Sequence, residues 1–268
     1  MFEALRDLYR HRHLVTELTR REHADRYLGH WIGGMWAFLN PILLYGLYAV
    51  LFTVVFPSRL PESGSTLVGF LYILCALVPW VASAEVINRS VHSIVSNASL
   101  VRQVVFPLEV LPYQAVTMPL LNFSIGLLLC LGLLAAYEPE RLLVALPLGA
   151  LAILLHLMFL AGLAFLFASL GVFARDLKDL LGFFTGAGLF LAPILYFPEV
   201  IDRMPDVLRF IIAANPFTAM VHTYRDALFH GGFNHPGAWI LMAFAAPLTL
   251  SLGYACFDWL KPQFAEAV

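Results

Sequence analysis

Residues able to do chemistry are present in this sequence, but few stand where chemistry would need them. Glu199, Asp202 and Asp206 form the one group of acids gathered at the edge of an apolar stretch. A membrane transferase would want such a group at one face of the bilayer; here it reads as a solvated loop. His156 and Asn122 are the polar residues in the middles of long apolar runs. His156 is expected to hydrogen-bond between helices, because a proton relay would place acids deep in the spans as well. Glu85 and Arg89 stand four apart, acid first, which favours an ion pair along one helix. No GxxxxGKS or GxxxxGKT segment cradles a phosphate, and neither HExxH nor GxSxG occurs. Cys75, Cys130 and Cys256 lie inside apolar runs without CxxC spacing, so they read as packing residues, not as metal ligands or a disulfide framework.

The aromatic residues carry a second pattern. Phe38, Tyr45, Tyr48, Phe52 and Phe56 follow one another at spacings of seven, three, four and four. Phe183, Phe190 and Phe197 repeat every seven. Both spacings gather rings on one face of a helix. Ring faces stack on the C–H faces of sugars and other amphipathic solutes, so two facing stripes could line a conduit. Taken alone, packing or lipid contact is the simpler account of them.

The elements that must hold these residues are membrane helices. Hydrophobic residues make up 60% of the chain and charged ones 13%, with a mean hydropathy of +0.80. Soluble domains carry roughly twice that charge, so the bilayer is the expected solvent. The net charge of −2 and the lack of a basic face argue against nucleic acid as a partner. A spanning helix needs about 20 apolar residues. The stretches 33–56, 67–88, 111–137, 142–173 and 237–260 qualify, and 180–197 is shorter but almost wholly apolar. The expected fold is therefore one all-α integral membrane domain, 1–268, with six spans. Arg6, Arg10, Arg12, Arg20, Arg21 and Arg26 all precede the first span. With the N-terminus inside, 11 of the 16 Lys and Arg residues fall on the inner side, which favours cytoplasmic termini. The first run also starts too far from Met1, and is too long, for a secretory signal peptide.

Three segments do not span. Phe2 to Thr19 sets Phe2, Leu5, Leu8, Val15 and Leu18 among charged residues, as an amphipathic helix on a membrane surface would. Ser93 to Phe106 mixes polar and apolar residues and ends at Pro107, which is expected to open the third helix with Glu109 in its first turn. Glu199 to Phe229 is broken at Asn215-Pro216, giving two short helices expected to dip into the outer leaflet together.

Several of these stretches together resemble the membrane subunits of type-2 ABC exporters. Arg21 to Pro41, ending in Trp36-Ala37-Phe38-Leu39-Asn40-Pro41, is similar to the family's approach to its first span. Val78-Pro79-Trp80, Leu100 to Pro112, Val172 to Leu180, Ala192-Pro193-Ile194-Leu195-Tyr196 and Asn215-Pro216-Phe217 followed by Tyr224-Arg225-Asp226 look like further family motifs. Within the family the chain most resembles polysaccharide exporters of the O-antigen type; capsule and teichoic acid exporters are near relatives, and small-molecule or lipid exporters more distant ones. Leu108 departs from the pattern, where relatives often carry a basic residue.

The resemblance implies a homodimer in the bacterial inner membrane, with two copies of a cytoplasmic ATPase that bind ATP and magnesium, so this chain itself needs no cofactor. It implies that 2–19 is an interface helix and that 93–106 is a coupling helix acting through Asn97, Leu100, Val101, Arg102 and Phe106. The segment 199–229, with Asn215, Pro216, Tyr224, Arg225 and Asp226, would form the outer gate. The aromatic stripes would then line the channel, and Arg20, Arg21 and Arg26 would meet the diphosphate of a lipid-linked polysaccharide.

Overall fold

The computed structural model describes residues 2–27, 31–51, 66–102, 106–195, 201 and 203–268. Phe52, Phe56, Phe197, Glu199 and Asp202 lie outside the described residues. Every regular element within them is helical, and the chain is an all-α membrane protein. Five stretches are long and apolar enough to cross a bilayer: Gly33–Val50, Leu67–Ser90, Val110–Tyr137, Pro139–Phe173 and Pro236–Ala267.

Helix α1 (Phe2–Tyr27) is longer than its apolar pattern suggested. It runs through Arg20, Arg21 and Arg26, so these arginines stand on a helix and not on a linker. Ala4 and Val15 are buried beneath it, with Leu8, Leu14 and Leu18 partly so. Helix α2 (Trp36–Val50) buries only the strip Ala37, Pro41 and Tyr45. Helix α3 (Thr66–Ser90) is the buried centre, enclosed from Phe70 through Trp80 apart from slight access. Its Pro79 lacks the N–H that would bond back along the helix, and the Ser83 hydroxyl donates to the Pro79 carbonyl at 2.7 Å.

A short segment follows, with a 3-10 turn over Val95–Asn97 and then the helical turn α4 (Ala98–Val101). Pro107 does not open the next helix. Leu108 and Glu109 form a turn, and α5 (Val110–Thr117) starts after it, while the Glu109 carboxylate takes Lys261 as its partner. The third apolar stretch is also not one helix. Pro119 has no N–H to continue the ladder, so α5 stops at Thr117 and α6 (Leu120–Tyr137) begins beyond it.

Helix α7 (Leu142–Phe173) has 32 residues, about 48 Å, well beyond a ~30 Å hydrocarbon core. Helix α8 (Leu177–Leu191) has 15, or about 22 Å, and is too short to cross unaided. Then come α9 (Asp206–Ala214), α10 (Pro216–Arg225), α11 (Pro236–Leu260) and a terminal turn α12 (Phe264–Ala267). The two short helices differ in their surroundings. In α9 only Ile212 is buried, whereas α10 is buried from Phe217 through Met220 and onward to Arg225. Phe217 stacks edge-on against Trp80, near the middle of α3, at 5.2 Å between centroids.

Long helices α7 and α11 form the main crossing. A Cβ built on Gly162 would stand 2.3 Å from the Thr249 carbonyl carbon, and one on Gly253 would stand 2.1 Å from the Gly162 carbonyl oxygen. Only residues without side chains permit that approach. Phe165 is a hub just below it, edge-on to Tyr113, Tyr254 and Phe257 at 4.9, 5.3 and 5.1 Å. That cluster joins α1, α5, α7 and α11 at the end of the bundle that carries both termini, here the terminal face.

Gly253→Val should therefore destabilise the subunit by about 3 kcal/mol or more, since backbone has to give way. Gly182→Ala, with open space around its Cα, should change it little. Thermal unfolding midpoints of the purified variants in detergent test both; equal midpoints would contradict the crossing.

Candidate functional site

At the terminal face a cavity of about 800 Å³ opens between α1, α3 and α5. Arg21, Glu22, Asp25 and Arg26 reach it from α1, Glu85, Asn88 and Arg89 from α3, and Gln114 from α5. The charges are interlocked. Arg89 donates to Glu85 at 3.1 Å within α3, and to Glu22 of α1 at 2.6 Å. The second oxygen of Glu22 accepts from Gln114 at 2.8 Å. Arg26 approaches Glu85 at 3.6 Å, and Asn122 donates to the other Glu85 oxygen at 3.2 Å. Arg21 pairs with Glu17 at 3.0 Å on the exposed side of α1.

The three expected arginines therefore divide. Arg21 and Arg26 line the cavity, but Arg20 does not. It stands over a smaller hollow with Thr16, Thr19, His23 and Thr117. Partial burial, and secondarily Arg26, lowers the pKa of His23, so that imidazole adds little positive charge there. Arg89 takes the third place around the cavity. Its four-residue spacing from Glu85 was visible in the sequence; its reach to Glu22, 67 residues away, was not.

The segment after α3 turns its residues both ways. Val101 is buried and Leu100 half-buried in the cluster formed by α1 and α11. Asn97 is half-buried and donates back to the Ser93 carbonyl at 2.9 Å, and Phe106 is half-buried. Arg102 is exposed and donates to the Val268 carbonyl at 2.5 Å. The outward residues are His92, Val95, Ser96, Ser99 and Arg102. Of these, only Arg102 was singled out from sequence. The spacing of Val95, Ser99 and Arg102 was the available signal.

Equal spacing did not give the aromatic residues equal surroundings. Phe38 is exposed and Tyr48 half-buried, but Tyr45 is buried against α6, where a Cβ on Gly126 would lie 2.8 Å from its hydroxyl oxygen. On α8, Phe183 and Phe190 are both exposed, at 75% and 58%. The open ring faces are thus Phe38, Phe183 and Phe190, while Tyr45 packs.

At the opposite end, Asn215 caps α10: its side-chain oxygen accepts from the Phe217 N–H at 3.0 Å, and Pro216 fills the first helical position. The Asn215 amide reaches the Leu191 carbonyl at 3.4 Å, where α8 ends. Tyr224 and Ser83 bracket His156, at 3.0 Å from Nδ1 and 2.9 Å from Nε2. The Ser83 proton goes to Pro79, so Nε2–H donates to Ser83 and the Tyr224 hydroxyl donates to Nδ1. This is the interhelical role expected of His156. Arg225 and Asp226, both buried, face opposite ways. Arg225 donates to the Ile194 carbonyl at 3.1 Å and lies 3.8 Å over the Tyr72 ring. Asp226 accepts from the His235 N–H at 2.8 Å and from the Trp239 indole at 3.0 Å, and pairs with the His235 ring at 2.7 Å.

Comparison with known proteins gives a consistent result. The family described as ABC-2 type transporter matches residues 13–229. The chain is 30% identical over 272 residues to an O-antigen export system permease protein of Myxococcus xanthus, across the full length of both. Two proteins of the same description from Klebsiella pneumoniae are 27% and 28% identical over 256 residues, or 94% of each chain.

Asp226→Ala should leave three donors facing one another without an acceptor and destabilise the fold by roughly 3–5 kcal/mol. Tyr224→Phe, which removes one hydrogen bond and keeps the ring, should cost about 1 kcal/mol. The ordering of the two unfolding midpoints checks the assignment.

Proposed function

Because the chain belongs to the ABC-2 type transporter family, we propose that it is the permease subunit of an exporter for lipid-linked polysaccharide of the O-antigen type. The observation that carries this reading is the end-to-end likeness to an O-antigen export permease. The subunit sits in the bacterial inner membrane as a homodimer with both termini in the cytoplasm. Two ATPase subunits beneath it bind ATP and magnesium and supply the energy.

The residues fall into place along one route. Arg21, Arg26 and Arg89 receive the diphosphate of the lipid carrier at the terminal face, by charge-assisted and bidentate hydrogen bonds. The open faces of Phe38, Phe183 and Phe190 then guide the sugar chain between the two subunits. Each contact is weak enough to be exchanged for the next, which allows sliding. The α9–α10 hairpin is the far gate. Arg225 and Asp226 pin α10 to the body, so the exposed α9 is the part free to swing.

The segment around α4 is the coupling element. His92, Val95, Ser96, Ser99 and Arg102 face the ATPase, and Leu100 and Val101 pass its thrust into the cluster shared with α1 and α11. A cysteine at Val95 or Ser99 should therefore crosslink to the ATPase, while one at Val101 should not. Crosslinking at Val101 alone would reverse this orientation.

For the route, cells lacking the chain should lose their surface polysaccharide, and the wild-type gene should restore it. Replacing both Phe183 and Phe190 by Ala should lower export about tenfold with normal membrane insertion, because both rings are open. Tyr45→Ala should instead lower the amount of folded subunit. Full export by the double variant, at normal abundance, would return the α8 rings to lipid contact.

A further inference from the structure

Three histidines gather around one buried acid at the end of the bundle opposite the terminal face. A five-residue π turn (Asp226–His230) follows α10, and Gly231, at a φ of +71°, turns the chain back toward α10. The Gly232 N–H donates to the Asp226 carbonyl at 3.1 Å and closes the turn. His235, at the head of α11, stacks on His222 of α10, with ring centroids 4.1 Å apart and planes 24° from parallel. His230 stands 6.0 Å from His235.

The two stacked rings have unequal partners. His235 gives Asp226 both its backbone N–H and its ring Nδ1–H, because a carboxylate can only accept. A proton added to that ring completes an ion pair. His222 makes no such bond: its Nδ1 is enclosed without a hydrogen-bond partner among the described residues. Burial first, then the neighbouring His235 and Arg225, lower the His222 pKa to about 3, although Asp226 opposes them. Burial lowers that of His230 too, with Asp226 opposing and His235, Arg225 and Arg141 adding to the shift. The neighbouring cations are already committed. Arg225 holds the Ile194 carbonyl and the Tyr72 ring, and Arg141 holds Glu138 and the Phe229 carbonyl. Helices α6, α7 and α10 carry no acid, α3 carries none before Glu85 and α11 none before Asp258.

From this geometry we infer that His222 and His235 form a proton-operated latch: the packed junction of α10 and α11 accommodates one imidazolium, held by Asp226, and a second proton, on His222, lifts the loop 230–235 off α10. Two imidazoliums stacked this closely repel, and only the His235 ring is bonded to an acid. None of residues 231–234 is buried, so the loop can lift while Arg225 still pins α10 to α3 and to Ile194. What is lost is the Asp226 side of the pin. In the exporter proposed above, that side is one of the two anchors of the far gate. Linkage gives the direction. His222 is neutral while packed and regains an ordinary pKa of about 6.5 once the loop lifts. The closed latch is therefore at full strength above about pH 6.5 and weakens as pH falls toward 3. Between pH 7.5 and 5.5 the lifted fraction should rise about tenfold.

The test is hydrogen exchange on the full chain in lipid nanodiscs at pH 7.5 and pH 5.5, each rate referred to that of an unfolded peptide at the same pH. Protection of the Gly232 and His235 amides, both bonded to Asp226, should fall about tenfold at the lower pH, and protection of residues 159–169 in α7 should not change. His222→Phe, which keeps a ring in the stack and removes the proton site, should show equal protection at both pH values. His230→Asn should keep the tenfold fall. Unchanged protection in the wild-type chain overturns the latch, and so does a fall that persists in His222→Phe. Loss of the fall in His230→Asn overturns the assignment to His222. Should His222→Phe not fold, ring-nitrogen NMR of the wild-type chain decides. The His222 ring must read neutral at pH 5.5, and a charged ring beneath a still-protected loop overturns the inference. None of these readouts involves transport, so their failure leaves the exporter reading standing.

Discussion

In an apolar medium a polar side chain must find its partner inside the protein, because no water stands by to replace it. Arg225 and Asp226 meet that demand side by side and in opposite directions. The guanidinium holds the Tyr72 ring and the Ile194 carbonyl; the carboxylate holds His235 and Trp239. One turn of chain thus ties α10 to α3, to the connector after α8 and to the head of α11. The Pro79–Ser83–His156–Tyr224 series adds α7 to the same knot. Everything that could move has to move around it.

The remainder sorts by how it is held. Helices α3, α7, α10 and α11 share buried side chains and the glycine crossing, and form a stiff body. By contrast α2 and α8 flank that body with most of their rings and aliphatic groups outward. Such faces suit the second copy, lipid and passing polymer of the exporter proposed above. The polar terminal-face cavity lies where the stiff body meets the second half of α1. In the exporter proposed above, a signal between ATPase, substrate and pore would have to cross that contact.

The all-α membrane class was legible because run length and hydropathy report directly on the solvent. The Glu85–Arg89 pair and the interhelical role of His156 were legible too, the first from helical spacing and the second from its isolation among apolar residues. Other features were hidden for a common reason. Periodicity says which residues share a face, not what that face meets. Tyr45 and Phe38 share a helical face, yet one is enclosed by α6 and the other is open. Val101 looked like a contact residue and turns inward. Arg20 looked equivalent to Arg21, but one step along a helix is about 100° of rotation, enough to carry it out of the cavity. The break at Pro119 is hard to see in the sequence because the run around it is uniformly apolar.

The shortness of α8 has a consequence for energetics. Its helical wall stops at Leu191, and the backbone from Ala192 to Leu195 continues as loop packed within the protein. Carbonyls and amides there are not all consumed by a helical ladder. The α8 side of the subunit therefore presents about 22 Å of helical wall, less than the ~30 Å hydrocarbon depth. Lipid beside that wall would have to thin to match, so export in the proposed transporter should depend on acyl length.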